Sequence, residues 1–129
     1  MALSDCPIGP AAAVSDPDRA REFYEGKLGL TGKPMGDDGS RVYSCGEGTS
    51  LAIYVSKENA GTSKATLAGW QVPDVEAAVA ELSANGVEFE QYDQPGLKTD
   101  ERGIVAFDGG GVAFFKDPDG NIFSINSGM

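Results

Sequence analysis

The chain has no histidine, so the side chain most often used as a base near neutral pH is missing. With it go the Ser/His/Asp triad, the Cys/His pair and the HExxH zinc site. Acid–base work would fall to a carboxylate, tyrosine, lysine or cysteine with a shifted pKa. The two cysteines, Cys6 and Cys45, are far apart with no CxxC spacing, and read as reduced thiols. Asp117, Asp119 and Asn121 have the i, i+2, i+4 spacing of a calcium loop. The sixth position of that loop is Ile122 instead of Gly and the twelfth is Gly128 instead of Glu, so the segment reads as a turn. Gly109-Gly110-Gly111 lies between strand-like runs, not before a helix, and reads as a hairpin turn instead of a phosphate cradle.

Composition narrows the partners. Ten Lys and Arg against 20 Asp and Glu give a net charge of −10, which repels phosphate backbones and leaves no basic run for nucleic acid. No apolar stretch reaches the ~18 residues of a spanning helix, and the N-terminus lacks the charged and apolar regions of a signal peptide. A soluble, cytoplasmic protein is expected, and 129 residues suit one domain, 1–129.

Two segments have helical periodicity, each opened by a capping aspartate. Asp16 precedes Pro17, and Ala20, Phe23, Tyr24 and Leu28 fall on one face; Gly26 and Gly29 mark the end. Asp74 precedes Val75, Ala78, Val79 and Leu82, and Asn85-Gly86 supplies the stop. Strands are expected at 9–14, 31–35, 41–45, 50–55, 67–72, 87–91, 104–107, 112–116 and 121–126. The connection from Tyr92 to Gly103 reads as a long solvated charged loop, with a place over the binding mouth, Tyr92 and Leu97 as contacts, as the alternative.

The order strand, helix, strands occurs twice. Val14-Ser15-Asp16 matches Val72-Pro73-Asp74 at an offset of 58, and Gly48, Leu51, Ala52 and Ile53 match Gly120, Phe123, Ser124 and Ile125 at an offset of 72. The reading is a duplicated βαβββ unit, with one module at about 7–56 and the second at about 65–127, joined by the polar linker 56–64. On Val14-Ser15-Asp16 with RAREFYEGKLGL (19–30), VPDVEAAVAELSANGV (72–87) and FFKDPDGNIFSI (114–125), the chain resembles the vicinal oxygen chelate superfamily. That group includes glyoxalases, extradiol dioxygenases and bleomycin resistance proteins. The resemblance implies an α+β fold in which two βαβββ modules form a cupped mixed β-sheet with helices on its outer face.

In the metal-dependent members, side chains pointing into the cup hold a divalent ion. Carried over by count, those positions fall on Gly9, Ala52, Leu67 and Ser124. None offers a carboxylate, imidazole or thiolate, so no metal and no cofactor is expected. Strand alternation then places Tyr54 and Gln71 on the cup wall as orienting hydroxyl and amide, with Ser124 beside them and Trp70, Leu51, Ile53 and Val72 beneath the helices. Tyr43, Tyr92 and Phe115 are candidate aromatic walls. The order of Phe114 and Phe115 across the sheet is open, because a bulge could reverse it. The expected function is metal-independent binding of a small molecule, cationic or aromatic, in the manner of an antibiotic-sequestering protein, in an expected homodimer. A metal-free lyase or isomerase, or a regulatory interaction module, is the alternative. Such an enzyme would use Tyr54, Cys45 or a buried carboxylate, though the sequence shows no nucleophile–base pair.

Overall fold

The computed structural model describes residues 1–128. Each half of the chain builds one four-stranded mixed sheet. In the first, β1 (Ala11–Val14), β2 (Thr31–Pro34), β3 (Arg41–Ser44) and β4 (Ser50–Val55) stand in the order β1-β4-β3-β2. In the second, β5 (Thr66–Gln71), β8 (Ile104–Phe107), β9 (Gly110–Lys116) and β10 (Ile122–Ser127) stand in the order β5-β10-β9-β8. The first strand of each half runs parallel to the last, and the other pairings are antiparallel.

The register carries the duplication down to single residues. Ala11 pairs with Ala52, and Gly69 pairs with Ser124. These are the partners that the two offsets relate, so equivalent positions in the halves can be compared side chain by side chain.

Helix α1 (Pro17–Arg21) opens each comparison. Asp16 accepts hydrogen bonds from the backbone N–H of Asp18 and Arg19, and Asp74 does the same for Glu76 and Ala77 at the start of α2 (Val75–Ala84). Both caps satisfy donors that the first turn leaves free. Beyond Arg21 the first helix widens into a π-turn over Glu22–Lys27, in which Leu28 N–H donates to Phe23 C=O at 3.0 Å. A single α-helix was the expectation there. The widened turn lets the adjacent rings of Phe23 and Tyr24 both enter the core, at 6% and 0% exposure.

Those two rings join the halves. Tyr24 stacks on Tyr43 of the first sheet at 5.8 Å and meets Phe123 of the second edge-on at 6.1 Å, while Phe23 lies 6.1 Å from Phe115. The helix-bearing faces of both sheets thus share one hydrophobic core, and the opposite face of each sheet carries no helix.

Three segments differ from the sequence reading. Strand 87–91 does not form, and only Phe89 bridges to Phe115. The connection 92–103 folds back on itself as the short hairpin of β6 (Asp93–Gln94) and β7 (Leu97–Lys98), with Tyr92 N–H donating to Thr99 Oγ1 at 2.9 Å. The first strand begins at Ala11, two residues after Gly9.

Candidate functional site

The site is shaped by two chain reversals at equivalent places. In the second half, residues 117–121 form a buried clasp. Asp117, 5% exposed, accepts hydrogen bonds from the Tyr24 hydroxyl at 2.6 Å, from Asn121 Nδ2 at 2.8 Å and from the N–H groups of Asp119 and Asn121. Asn121 Nδ2 also donates to the Ala13 carbonyl at 2.8 Å, capping the free edge of β1. Asp119 accepts from Ser15 Oγ at 2.5 Å, from Ser15 N–H and from Arg19. A turn was expected, and a turn forms. Beyond its own internal hydrogen bonds, the turn sends the Asp117 and Asp119 carboxylates and the Asn121 amide into the first half.

Residues 45–49 are the counterpart in the first half. Their hydrogen bonds are local among the described residues: Thr49 Oγ1 donates to Gly46 C=O at 2.6 Å, and the Cys45 thiol faces Tyr43 C=O at 3.9 Å. Glu47, standing where Asp119 stands, sits exposed in a left-handed conformation at φ 55°. With no clasp at this end, a cavity of about 460 Å³ remains between the halves. Its walls are Ile8, Gly9 and Pro10, Cys45 with Thr49 to Leu51, and Leu67 to Trp70 of β5. The lining is chiefly apolar, with the Cys45 thiol and the hydroxyls of Thr49 and Ser50 as its polar groups.

The four positions singled out from the sequence divide between two places. Gly9 and Leu67 border the cavity. Ala52 and Ser124 lie on the helix-free faces of their sheets, opposite Ile53 and Phe123. Ser124 is nonetheless 8% exposed, because its hydroxyl lies directly over Gly69, where any Cβ would collide with it. No group of three or more His, Cys, Asp or Glu side chains capable of holding a metal occurs among the described residues. The residues at these four positions do not fit a divalent ion, because they supply at most one neutral hydroxyl.

Tyr54 is 36% exposed on the helix-free face of the first sheet. Gln71 is exposed at the end of β5, where it borders a second cavity between the helices. By register Gln71 pairs with Asn126 and shares the face of Gly69 and Ser124, so Tyr54 and Gln71 each stand on the helix-free face of their own sheet. Tyr92 packs edge-on against Phe114 at 5.6 Å, on the helix-free side of the second sheet.

Tyr43 and Phe115 require correction. Both are core residues, 1% and 0% exposed, and occupy equivalent places in the two halves. Tyr43 pairs with Leu51, and Phe115 with Phe123, so register puts both under the helices. No bulge intervenes between β9 and β10, which leaves Phe114 as the ring on the other face. Burial pushes the Tyr43 phenol up to about 12, helped by its hydrogen bond to Glu25. Burial, then the Asp117 carboxylate, pushes Tyr24 up still further. Burial alone would raise Glu25, but hydrogen bonds from Tyr43 and Arg21 and the charge of Arg41 outweigh it and hold the carboxyl below its usual range. Arg41 Nε lies 2.8 Å from Glu25 but out of line for a hydrogen bond, so it acts there as a charge.

The family model for the Glyoxalase/Bleomycin resistance protein/Dioxygenase superfamily matches residues 9–125. The chain belongs to this superfamily. Among solved structures, a glyoxalase/bleomycin resistance protein from Streptomyces sp. CB03234 is 26% identical, with 90% of this chain and 95% of that one covered, at a TM-score of 0.65. An antibiotic binding protein from the same Streptomyces is 23% identical, covering 95% and 97%, at 0.64. A glyoxalase family protein from Enterococcus faecalis is 22% identical, covering 94% and 97%, at 0.68. No curated protein matches the chain.

The clasp and the cavity walls at Ile8, Pro10, Thr49 and Trp70 were not singled out as site residues from the sequence, whereas Cys45 was, as a candidate of the enzyme alternative. A signal was present in the offset of 72, which sets the polar run DPDGN against CGEGT. A turn rich in buried-capable donors and acceptors facing a plain one marks where the two ends must differ.

Proposed function

We propose that this member of the superfamily binds a small organic molecule without a metal ion and sequesters it unchanged, as an antibiotic-sequestering protein does. The observation that carries this reading is that two of the four vacated positions, Gly9 and Leu67, border an apolar cavity of about 460 Å³. That volume lies in the range of roughly 300–1,000 Å³ typical of small-molecule sites. Trp70 offers the cavity a flat aromatic wall, and the net charge of −10 attracts cationic ligands over long range. The likeness to a protein described as antibiotic binding agrees with this reading.

A homodimer belongs to the same proposal. The helix-free faces leave Tyr54 and Phe107 at 36% and 39% exposure, and a second chain laid against them would cover both these rings and the sheet edges.

The deciding experiment is a thermal-shift screen of aromatic and cationic antibiotics on chelator-treated protein, with the bound compound recovered and compared by NMR. Stabilisation in chelator and an unaltered compound are expected, since binding to the native state alone raises its stability by mass action. Dependence on added divalent metal, or recovery of an isomer or cleavage product, would overturn the proposal in favour of a metal-dependent or metal-free enzyme. Light scattering should give twice 13.4 kDa, and a monomer at micromolar concentration would remove the dimer.

A further inference from the structure

A second cavity, of about 390 Å³, lies on the helix side of the second sheet, between the end of the first helical segment and α2. Its cause is visible when the halves are superposed by count. In the first half, Phe23 and Tyr24 fill the space between helix and sheet. The offset of 58 that relates Asp16 to Asp74 puts Glu81 and Leu82 of α2 in their places. Leu82 is smaller than the Tyr24 ring at the position it matches by count, and space is left open beside Trp70 and Phe115, with the exposed Glu81 at its rim.

We propose that this interhelical cavity is a second ligand site, separate from the first, and that it takes a flat aromatic molecule carrying a positive charge. The floor favours a planar body: Trp70 is held by stacking on the buried Phe115 at 6.1 Å with the rings 19° apart, which fixes the indole as an ordered aromatic surface. Glu81 borders the same cavity and has no ion-pair partner among the described residues, so its carboxylate is free to face a cation. Lys27, whose chain lies along Gly86, is the nearby protein cation and leaves Glu81 unpaired. An anion would meet that carboxylate in a chain of net charge −10, which selects against it.

Trp70 makes the proposal measurable, since it is the only tryptophan in the chain and lines both cavities. N-methylquinolinium is the probe, titrated into the full-length protein while Trp70 emission is followed. Quenching that saturates is expected. Leu82→Phe restores a ring where the first half has Tyr24 and should abolish saturable quenching. Glu81→Gln, at an exposed position that leaves the fold intact, should weaken binding by about threefold, the scale of a partly exposed charge pair. Leu67→Phe narrows only the first cavity and should leave the titration as it is. The reverse pattern, loss with Leu67→Phe and no change with Leu82→Phe or Glu81→Gln, would place the probe in the first cavity and overturn the second site. Absence of saturable quenching in the unaltered protein would also overturn it, without touching the antibiotic screen, which reads thermal stability for a different cavity.

Discussion

The reversals at 117–121 and 45–49 occupy the same place in two copies of one topology, yet they do opposite things. The first sends the Asp117 and Asp119 carboxylates and the Asn121 amide across to Tyr24, Ser15, Arg19 and Ala13. The second bonds to itself and leaves a cavity. A duplicated fold with identical ends would be closed at both or open at both. The difference shows how a few polar side chains, substituted at one end only, fasten the halves together at that end and leave the other free to hold a ligand.

The sharpest way to break this comparison is to remove the clasp and its counterpart in turn. Asp117→Ala strands the Tyr24 hydroxyl, Asn121 Nδ2 and two backbone N–H groups in a buried setting. Unfolding in urea should show a loss of about 3–5 kcal/mol, the scale of removing one charged partner from a buried hydrogen-bonded network. Cys45→Ala, at the equivalent position, should cost less than about 1 kcal/mol, since its thiol makes only a weak contact with Tyr43 C=O. Equal losses would mean that the two ends are held alike.

Alkaline titration tests the same asymmetry through its tyrosines. Tyr24 and Tyr43 are both held protonated by burial, with Tyr43 at about 12 against an ordinary value of 10.0. A group raised in the folded state contributes stability that is complete below its unfolded pKa and is lost as pH climbs through the folded one. Stability should therefore fall between pH 10 and 12, with phenolate absorbance from these two tyrosines rising together with the loss of circular dichroism. In Tyr24→Phe the alkaline limit should move upward in pH. Phenolate formation by both residues in a folded chain would contradict the core placement.

The smallest expected effect concerns the paired positions Gly69 and Ser124. Gly69→Ala drives a methyl against Ser124 Oγ and should cost about 1 kcal/mol. Adding Ser124→Ala removes the obstructing oxygen, so the double variant should be more stable than Gly69→Ala alone. A double-variant cycle with no coupling would show that the two do not share a face.

How much of this was legible in the sequence depends on the range of the physics involved. The capping aspartates, the helix stops, most strands and the duplication were readable, because each rests on neighbours a few residues apart or on a simple count. The offsets relate Ala11 to Gly69 and Ala52 to Ser124, and the structure adds that Ala11 pairs with Ala52 and Gly69 with Ser124. The π-turn at 22–27 and the failed strand at 87–91 were not, since both follow from what the rest of the chain packs against them.

At the positions that the family resemblance singles out, the residue types of Gly9, Ala52, Leu67 and Ser124 offer no metal cage, and the lack of histidine removes imidazole chemistry from this sequence. Alternation along β4 and β5 likewise determined that Leu51, Ile53 and Trp70 turn toward the helices, because successive side chains on a strand must point to opposite faces. Only the tertiary structure decided that Tyr43 and Phe115 are core, that Asp117 is buried in a clasp, and that the cavities lie at one unfastened end and beneath α2. The reason is physical: a cavity is a failure of distant surfaces to meet. Tyr24 and Asp117 are 93 positions apart in the chain, and no local pattern records whether two such groups find each other.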